Sequence, residues 1–227
     1  VVAVVGDVAG QPSVIDWFVT RPLFGRRVLV TRSAEQAGEL RALLAELGAD
    51  VLIQPAIEIS PPTDWAAVDA ALARLDQFDW LVFSSSNGVR YLLDRLLELG
   101  GDMRRLGGVR IAAIGPGTAE TLAAYRLKPD VIPDEYRAEA LAQVLSVEAA
   151  GRRFLLARAS RGREVLAEEL RRAGGEVEQV VVYRSTDVAQ PAPEMAEALS
   201  SGAIDFVSVT SSAIARSLVA LFGESLR

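Results

Sequence analysis

An internal repeat is the feature that most limits how this chain can fold. Residues 25–30 (GRRVLV) match residues 151–156 (GRRFLL), and residues 79–86 match residues 205–212 at the same spacing of 126 positions. The general similarity of strand–turn–helix units would explain one matching segment, but not two at a shared offset. We therefore predict that the chain is a duplicated protein.

Short apolar runs alternate with helical patterns inside each copy. Residues 28–31 form an apolar run suited to a buried strand, and the segment after it places leucines three and four positions apart, at Leu40, Leu43, Leu44 and Leu47. Gly48 follows as a typical helix stop. Two further helices are predicted to begin at about Val89 and at about Ala119. Strands separated by helices predict an α/β fold whose parallel sheets are covered on both faces.

The two copies are unequal in length. The first copy has a third strand–helix unit, residues 109–145, whose counterpart would fall beyond Arg227. The second copy is thus expected to lack about 45 residues. Residues 1–24 are predicted to be the tail of an upstream domain followed by a linker, in which Trp17 and Phe18 pack on the domain rather than bind a ligand.

Composition excludes several kinds of chemistry. The chain has no cysteine and no histidine, so thiol nucleophiles, disulfides and imidazole bases are absent. No acidic cluster has the spacing of metal ligands, so no metal site is predicted. The net charge of −6 argues against a nucleic-acid partner. No apolar run approaches the roughly 18 residues of a membrane span, and no signal peptide is visible, so we expect no membrane partner and a cytoplasmic location.

Three loops rich in small polar residues follow predicted strands and open predicted helices. They are residues 115–118, which end at Thr118, and the runs Ser84, Ser85, Ser86, Asn87 and Thr210, Ser211, Ser212. Helix N-termini at the carboxyl ends of parallel strands bind anions, although simple N-capping would explain any one loop. Three such loops favour a ligand with several negative charges. The chain has neither a Walker A motif nor a dinucleotide glycine pattern, so nucleotide binding is not indicated.

Arginines are concentrated near the start of the second copy. We interpret Arg152 and Arg153 as a solvated face, whereas Arg158, Arg161 and Arg163 lie at a strand-to-helix turn, with Arg32 at the matching place in the first copy. Arginines there can hold carboxylates or phosphates through paired hydrogen bonds. The sequence leaves substrate binding and solvation equally open for these four.

Tyr183 is predicted to lie near the end of an apolar strand, where the chain changes direction. A tyrosine in such a place is usually a packed aromatic whose hydroxyl is wet. It is also the proton donor near the predicted site that stays protonated at neutral pH.

Taken together, these segments resemble the uroporphyrinogen-III synthase family. The matching stretches are residues 30–32, 83–89, 114–119, 182–185 and 209–212, and the resemblance extends over residues 25–227. Residues 1–17 resemble the tail of a uroporphyrinogen-III C-methyltransferase, which precedes the synthase in some bacterial fusions.

The resemblance implies two flavodoxin-like parallel-sheet domains joined by a two-stranded connector. Residues 25–56 and 184–227 would form the first, discontinuous domain, incomplete at its C-terminus, and residues 57–183 the second. The implied reaction cyclises hydroxymethylbilane, which has eight carboxylates, with loss of water and inversion of the last pyrrole ring. No cofactor or metal would take part, and the enzyme would act as a monomer.

The resemblance also implies roles for individual residues. Tyr183 matches a family tyrosine proposed as a general acid, and Thr118 matches a threonine of the cleft. The loops and arginines would hold the substrate carboxylates. Two alternatives remain open: a two-lobed anion-binding or regulatory module without catalysis, and, with less support, a sugar-nucleotide transferase.

Overall fold

The computed structural model describes residues 17–210 and 212–223, without the side chains of residues 34–36 and 212–213. The strands are β1 (Arg27–Val30), β2 (Asp50–Ile53), β3 (Ile57–Ser60), β4 (Trp80–Phe83), β5 (Arg110–Ala113), β6 (Arg153–Ala159), β7 (Glu176–Asp187) and β8 (Phe206–Ser208). The helices are α1 (Ala34–Glu46), α2 (Ala66–Ala73), α3 (Ser86–Glu98), α4 (Pro116–Ala124), α5 (Ala138–Ser146), α6 (Val165–Arg172), α7 (Pro193–Ser200) and α8 (Ser212–Phe222). None of these helices is both long enough and apolar enough to cross a membrane. The predicted upstream tail lies almost entirely outside the described residues.

The chain divides into two compact units. Of the described residues, one unit holds those up to Glu58 and again from Thr186, and the other holds Ile59–Ser185. The first unit has a three-stranded sheet of order β2-β1-β8, and the second is built on a five-stranded sheet of order β3-β7-β6-β4-β5. Neighbours β1–β2, β1–β8, β4–β5, β4–β6 and β6–β7 are all parallel, which confirms the predicted α/β fold. The unit boundaries fall inside β3 and β7, two residues beyond the limits of residues 57–183 that the resemblance implies for the second domain.

Each sheet combines the first half of one copy with the second half of the other. Strand β1 of the first copy pairs with β8 of the second, with Val28 opposite Phe206. Strand β6 of the second copy pairs with β4 of the first, with Phe154 opposite Trp80. These two registers are related by the 126-residue offset of the sequence repeat, so the duplication is preserved in the strand pairing.

Two equivalent aspartates join strands from different copies. Asp205 accepts a hydrogen bond from the Arg27 backbone N–H, and Asp79 accepts one from Arg153, each over 2.8 Å. The same aspartates accept side-chain hydrogen bonds from Arg26 and Arg152. The backbone hydrogen bond is the main cause that lowers the pKa of both carboxyls below the usual value for aspartate. Each aspartate therefore stabilises the start of an inter-copy strand pair as a carboxylate.

Both faces of the five-stranded sheet are covered by helices. Leu81 and Phe83 of β4 pack on one side with residues of α2, α3 and α4, among them Leu72, Leu92 and Leu122. The alternate positions Trp80 and Val82 pack on the other side with α5 and α6, through Leu141, Leu145, Leu166 and Leu170. This alternation is the geometry of a strand that is buried on both faces. The first unit has a smaller apolar cluster that includes Ala56, Leu218 and Phe222.

Three predictions of local structure need correction. Helix α3 begins at Ser86 rather than near Val89, because Ser85 caps it. Helix α4 begins at Pro116 rather than near Ala119, since proline suits the first turn of a helix. Trp17 and Phe18 stay 62% and 46% exposed, so the expectation that they pack on the domain is wrong for much of their surface.

Candidate functional site

The second unit places most of the predicted site residues at one edge of its sheet. Because β4, β5, β6 and β7 run parallel, their carboxyl ends lie on the same side. Strand β4 leads into Ser84, Ser85, Ser86 and Asn87, and β5 leads into the α4 turn with Thr118. Strand β6 ends around Arg158 and continues to Arg161 and Arg163, while Tyr183 lies in β7.

Tyr183 is buried, and its hydroxyl is bonded to Ser85. The residue is 8% exposed, and its ring stacks on Tyr91 with centroids 5.8 Å apart. Its Oη lies 3.0 Å from Oγ of Ser85, which also accepts a hydrogen bond from the Gly88 backbone N–H over 3.0 Å. Burial raises the pKa of the Tyr183 phenol, and the hydrogen bond with Ser85 offsets part of this rise. The phenol is therefore protonated at neutral pH, and its ring is packed as predicted, but its hydroxyl is held by protein.

A bulge in the strand pairing determines where Tyr183 lies. The register passes from Arg158 opposite Val181 to Ala159 opposite Tyr183, so β7 contains one extra residue there. Bulges redirect the side chains that follow them. Tyr183 lies four residues before the end of β7, within the strand rather than at its end.

A glycine allows the start of α3 to approach β6. A Cβ added to Gly88 would lie 3.1 Å from the Ala157 carbonyl oxygen and 3.3 Å from Ser85 Oγ. A larger residue would therefore meet backbone on one side and the capping hydroxyl on the other. The close approach places the N-terminus of α3, and Ser85 with it, beside Tyr183.

The remaining loop residues of this edge are partly occupied by internal hydrogen bonds. Ser86 donates to the Gly117 carbonyl over 3.0 Å and so joins the starts of α3 and α4. Asn87 is buried and accepts from Arg90 over 2.7 Å. Thr118 is 5% exposed, whereas Ser84 is exposed. Ser85 caps α3, so simple N-capping, the alternative to anion binding for this loop, explains the position of this serine.

The three predicted arginines of the second unit all have protein partners. Arg158 donates to Glu164, and to Gln179 over 2.9 Å. Arg163 donates to Glu139, and Arg161 donates to Ser185 over 3.3 Å. A substrate carboxylate at Arg158 or Arg163 would therefore compete with a glutamate of the protein.

The partners of these arginines did not stand out in the sequence. Hydrogen bonds from Gln179 first and Arg158 second lower the pKa of Glu164, and Arg163 lowers that of Glu139. Glu164 follows Arg158 by six positions, in the same strand-to-helix turn, which offers a weak local signal. Glu139 and Gln179 come from α5 and β7, so no local pattern could have found them.

A small cavity opens beside the arginines. It has a volume of about 60 Å³, and its polar lining consists of Ser84, Arg158, Arg163 and Gln179. Pockets that enclose a drug-sized ligand have volumes of about 300–1,000 Å³. This cavity therefore has room for a small group, not for a large ligand.

In the first unit the predicted residues follow the parallel strands β1 and β8. Arg32 and Thr210 are exposed just beyond these strands, and Ser212 begins α8. Thr31 donates to the Ser208 carbonyl over 2.6 Å and so ties the two strand ends together. Ser211 lies outside the described residues. Among residues 17–210 and 212–223, no group of three acidic side chains could hold a metal ion.

Comparison with known proteins identifies the family. The family model described as Uroporphyrinogen-III synthase HemD matches residues 38–227. The chain belongs to the uroporphyrinogen-III synthase family. The uroporphyrinogen-III synthase of Synechococcus elongatus is 34% identical over 91% of this chain and 78% of that protein. The porphyrin biosynthesis protein HemD of Ruminiclostridium josui is 25% identical over 95% of this chain, which spans 43% of that protein.

Solved structures of uroporphyrinogen-III synthases share the fold. A crystal structure of a mutant synthase from Thermus thermophilus aligns with a TM-score of 0.62 at 22% identity, over 86% of this chain and 76% of that chain. The Helicobacter pylori enzyme aligns with a TM-score of 0.54 at 18% identity, over 88% and 81%. At these identities the likeness concerns the fold alone. Membership of the uroporphyrinogen-III synthase family makes the chain an enzyme of tetrapyrrole biosynthesis, in the lyase class.

Proposed function

We propose that this chain cyclises hydroxymethylbilane to uroporphyrinogen III, with loss of water and inversion of the last pyrrole ring. The observation that carries the proposal is the phenol of Tyr183, which is hydrogen-bonded to Ser85 at the same sheet edge as the N-termini of α3 and α4. A phenol there can supply a proton to the departing hydroxide as a general acid. The helix N-termini favour the negative charge of substrate carboxylates.

For this reaction the protein has to supply one proton and to hold the substrate in a fixed geometry. The carbon–oxygen bond breaks with its electron pair on oxygen, and protonation of that oxygen releases water. The cationic chain that remains must be held so that its last ring inverts before the macrocycle closes. A chain without histidine or cysteine can carry out these steps, and no cofactor or metal is part of the proposal.

The arrangement of the protein belongs to the proposal as well. Two flavodoxin-like domains would be joined by β3 and β7 as a two-stranded connector, which the position of the unit boundaries inside these strands supports. Arg32, Arg161, Thr210, Ser211 and Ser212 would contact substrate carboxylates, as would Arg158 and Arg163 after exchange with Glu164 and Glu139. The enzyme would be monomeric and cytoplasmic, and its net charge of −6 fits the absence of a nucleic-acid partner.

Turnover of freshly prepared hydroxymethylbilane tests the proposal. The protein should accelerate cyclisation and yield the inverted isomer III, whereas the spontaneous reaction gives the uninverted isomer. Binding of the substrate without acceleration would instead support the alternative of an anion-binding or regulatory module. Acceleration with formation of the uninverted isomer alone would contradict the proposed control of ring inversion.

A further inference from the structure

The hydroxyl of Ser85 is hydrogen-bonded both to the backbone of α3 and to the phenol of Tyr183. It accepts the Gly88 N–H, and it shares a hydrogen bond with Tyr183 in which either oxygen could donate. A serine hydroxyl has one proton and two acceptor positions. The direction of the Ser85–Tyr183 hydrogen bond therefore determines which of the two residues keeps a proton for another acceptor.

We propose that Ser85 is a positioning residue whose hydroxyl donates to the phenol oxygen of Tyr183 and leaves the Tyr183 proton available to the substrate. The inference rests on the proposed function, because a general acid whose proton is donated to a neighbouring side chain cannot donate it to the substrate. The chain Gly88 N–H, Ser85 O–H, Tyr183 Oη then runs in one direction. Hydrogen bonds aligned in this way polarise and strengthen one another.

The surroundings of Tyr183 suit this arrangement. Its ring is fixed by Tyr91 on α3 and by the apolar cluster of the sheet, so it has little freedom to move away from Ser85. Burial disfavours the phenolate that remains when a proton leaves. A donor from Ser85 compensates part of that cost where it arises, on the phenol oxygen.

The proton transfer balances over the reaction. The Tyr183 O–H bond breaks, its proton joins the substrate hydroxyl oxygen, and water leaves with the electron pair of the broken carbon–oxygen bond. Tyr183 is then a phenolate that accepts from Ser85. Ring closure later releases one proton from a substrate carbon, which the phenolate takes back.

Kinetics of four proteins test the coupling: the unsubstituted chain, Ser85→Ala, Tyr183→Phe and the double variant. Ser85→Ala should lower kcat by about the same tenfold as Tyr183→Phe, which is less than the roughly 10²–10⁴-fold usual for a general acid–base group, with little change in KM. The double variant should be no slower than Tyr183→Phe alone. Ser85→Thr, which keeps both a hydroxyl and a helix cap, should restore most of the rate. If the reduction of kcat in the double variant equalled the product of the two single reductions, the proposal would be overturned, because Ser85 would then act without Tyr183.

A matched variant separates positioning from loss of a helix cap. Asp64 accepts the Ala66 backbone N–H over 2.9 Å just before α2, and Asp69 in the first turn of α2 pairs with Arg95 in the last turn of α3, at the other end of that helix from Ser85. Asp64→Ala should remove a side-chain hydrogen bond to the first residue of a helix but leave kcat unchanged. A fall in kcat equal to that of Ser85→Ala would mean that loss of such a helix-start hydrogen bond alone explains the effect, and the proposal would fail.

A spectroscopic test of the hydrogen-bond direction needs no turnover. The tyrosine Fermi doublet in the Raman spectrum changes its intensity ratio in opposite directions when a phenol oxygen accepts and when its hydroxyl donates. The difference between the unsubstituted chain and Tyr183→Phe isolates Tyr183 from the other three tyrosines. An acceptor signature that disappears in Ser85→Ala is expected, and a donor signature would overturn the inference. An inactive protein with the acceptor signature would contradict the proposed function but leave the hydrogen-bond direction intact.

Discussion

At the scale of single residues, Tyr183 combines core packing, an internal hydrogen bond and a phenol proton, which usually conflict in one side chain. Its ring contributes to the core, its hydroxyl is hydrogen-bonded to Ser85, and burial raises the pKa of its phenol. A buried phenol normally needs a hydrogen-bond partner, and here the partner lies 98 positions earlier in the chain. This contact and the glycine beside it can each be tested by a single substitution.

Replacement of Tyr183 by phenylalanine should slow turnover while the fold survives. General acid–base groups usually contribute about 10²–10⁴-fold, but we expect about tenfold here, because the substrate loses hydroxide readily. The rate of formation of isomer III, measured at one salt concentration with a thermal melt alongside, tests this. An unchanged rate would leave Tyr183 a packed aromatic without a catalytic role.

Replacement of Gly88 by alanine should reduce activity more than stability. The added methyl would press on the Ala157 carbonyl and displace Ser85, while alanine favours the helix by about 1 kcal/mol over glycine. Gly38→Ala is the matched control, since nothing lies within 4 Å of a Cβ at this helical position in α1. It should raise the free energy of unfolding and leave kcat alone. Equal kcat values for both variants would show that the close approach at Gly88 has no function.

At the scale of elements, strand pairing between copies depends on short polar contacts as well as on apolar packing. Asp79 and Asp205 occupy equivalent places and bond the first residue of β6 and β1, respectively. Both carboxyls have a lowered pKa in the folded chain, so each contributes stability above its unfolded pKa and loses it as the pH falls through the folded value.

Asp79→Asn should therefore destabilise the chain at neutral pH but not in acid. At pH 7 the free energy of unfolding should fall by about 1 kcal/mol, the usual net contribution of one hydrogen bond. The difference between the two proteins should shrink as the pH falls below about 4, where Asp79 of the unfolded chain becomes protonated, and disappear as the pH falls through the lowered folded pKa. Urea unfolding at a series of pH values measures this, with Asp205→Asn as the equivalent change in the other unit. If the difference in free energy of unfolding between the two proteins were independent of pH, the carboxylate would be ruled out as its cause.

At the scale of the whole molecule, the two units differ in how the chain builds them. The larger unit is one continuous stretch and contains two complete apolar clusters, whereas the smaller unit needs segments from both ends of the chain. Strand β1 buries Leu29 only with β8 beside it, and β8 lies about 180 positions later.

Residues 57–187 should consequently fold alone, with a cooperative thermal transition by circular dichroism. Residues 17–58 alone should show none, because β1 and β2 would lack β8, and Ala56 would lack Leu218 and Phe222 of α8. Both fragments can be compared with the full chain under identical conditions. A non-cooperative melt of 57–187 would mean that the clusters within this unit do not suffice for folding.

Local sequence patterns were enough to predict the alternation of strands and helices, the parallel sheets and the repeat. Residues 28–31 and the leucines from Leu40 to Leu47 show their periodicity within one element, so no distant partner is needed to recognise them. Helix starts were missed by three residues at Ser86 and Pro116, because capping depends on the single residue before the helix. The discontinuous order of the units was predicted through the family resemblance, not from the repeat itself.

The sequence by itself thus determined the fold class, the absence of thiol and imidazole chemistry, and the loops at which a site could form. Only the tertiary structure decided that β1 pairs with β8 and β6 with β4, that Arg163 meets Glu139, and that Tyr183 meets Ser85. The physical reason is distance along the chain: periodicity reports which face of an element is buried, but not which remote side chain completes a hydrogen bond there. A tyrosine in a sequence can be a packed aromatic or a general acid. The hydrogen-bond partner that its hydroxyl meets in the folded chain decides between these two roles.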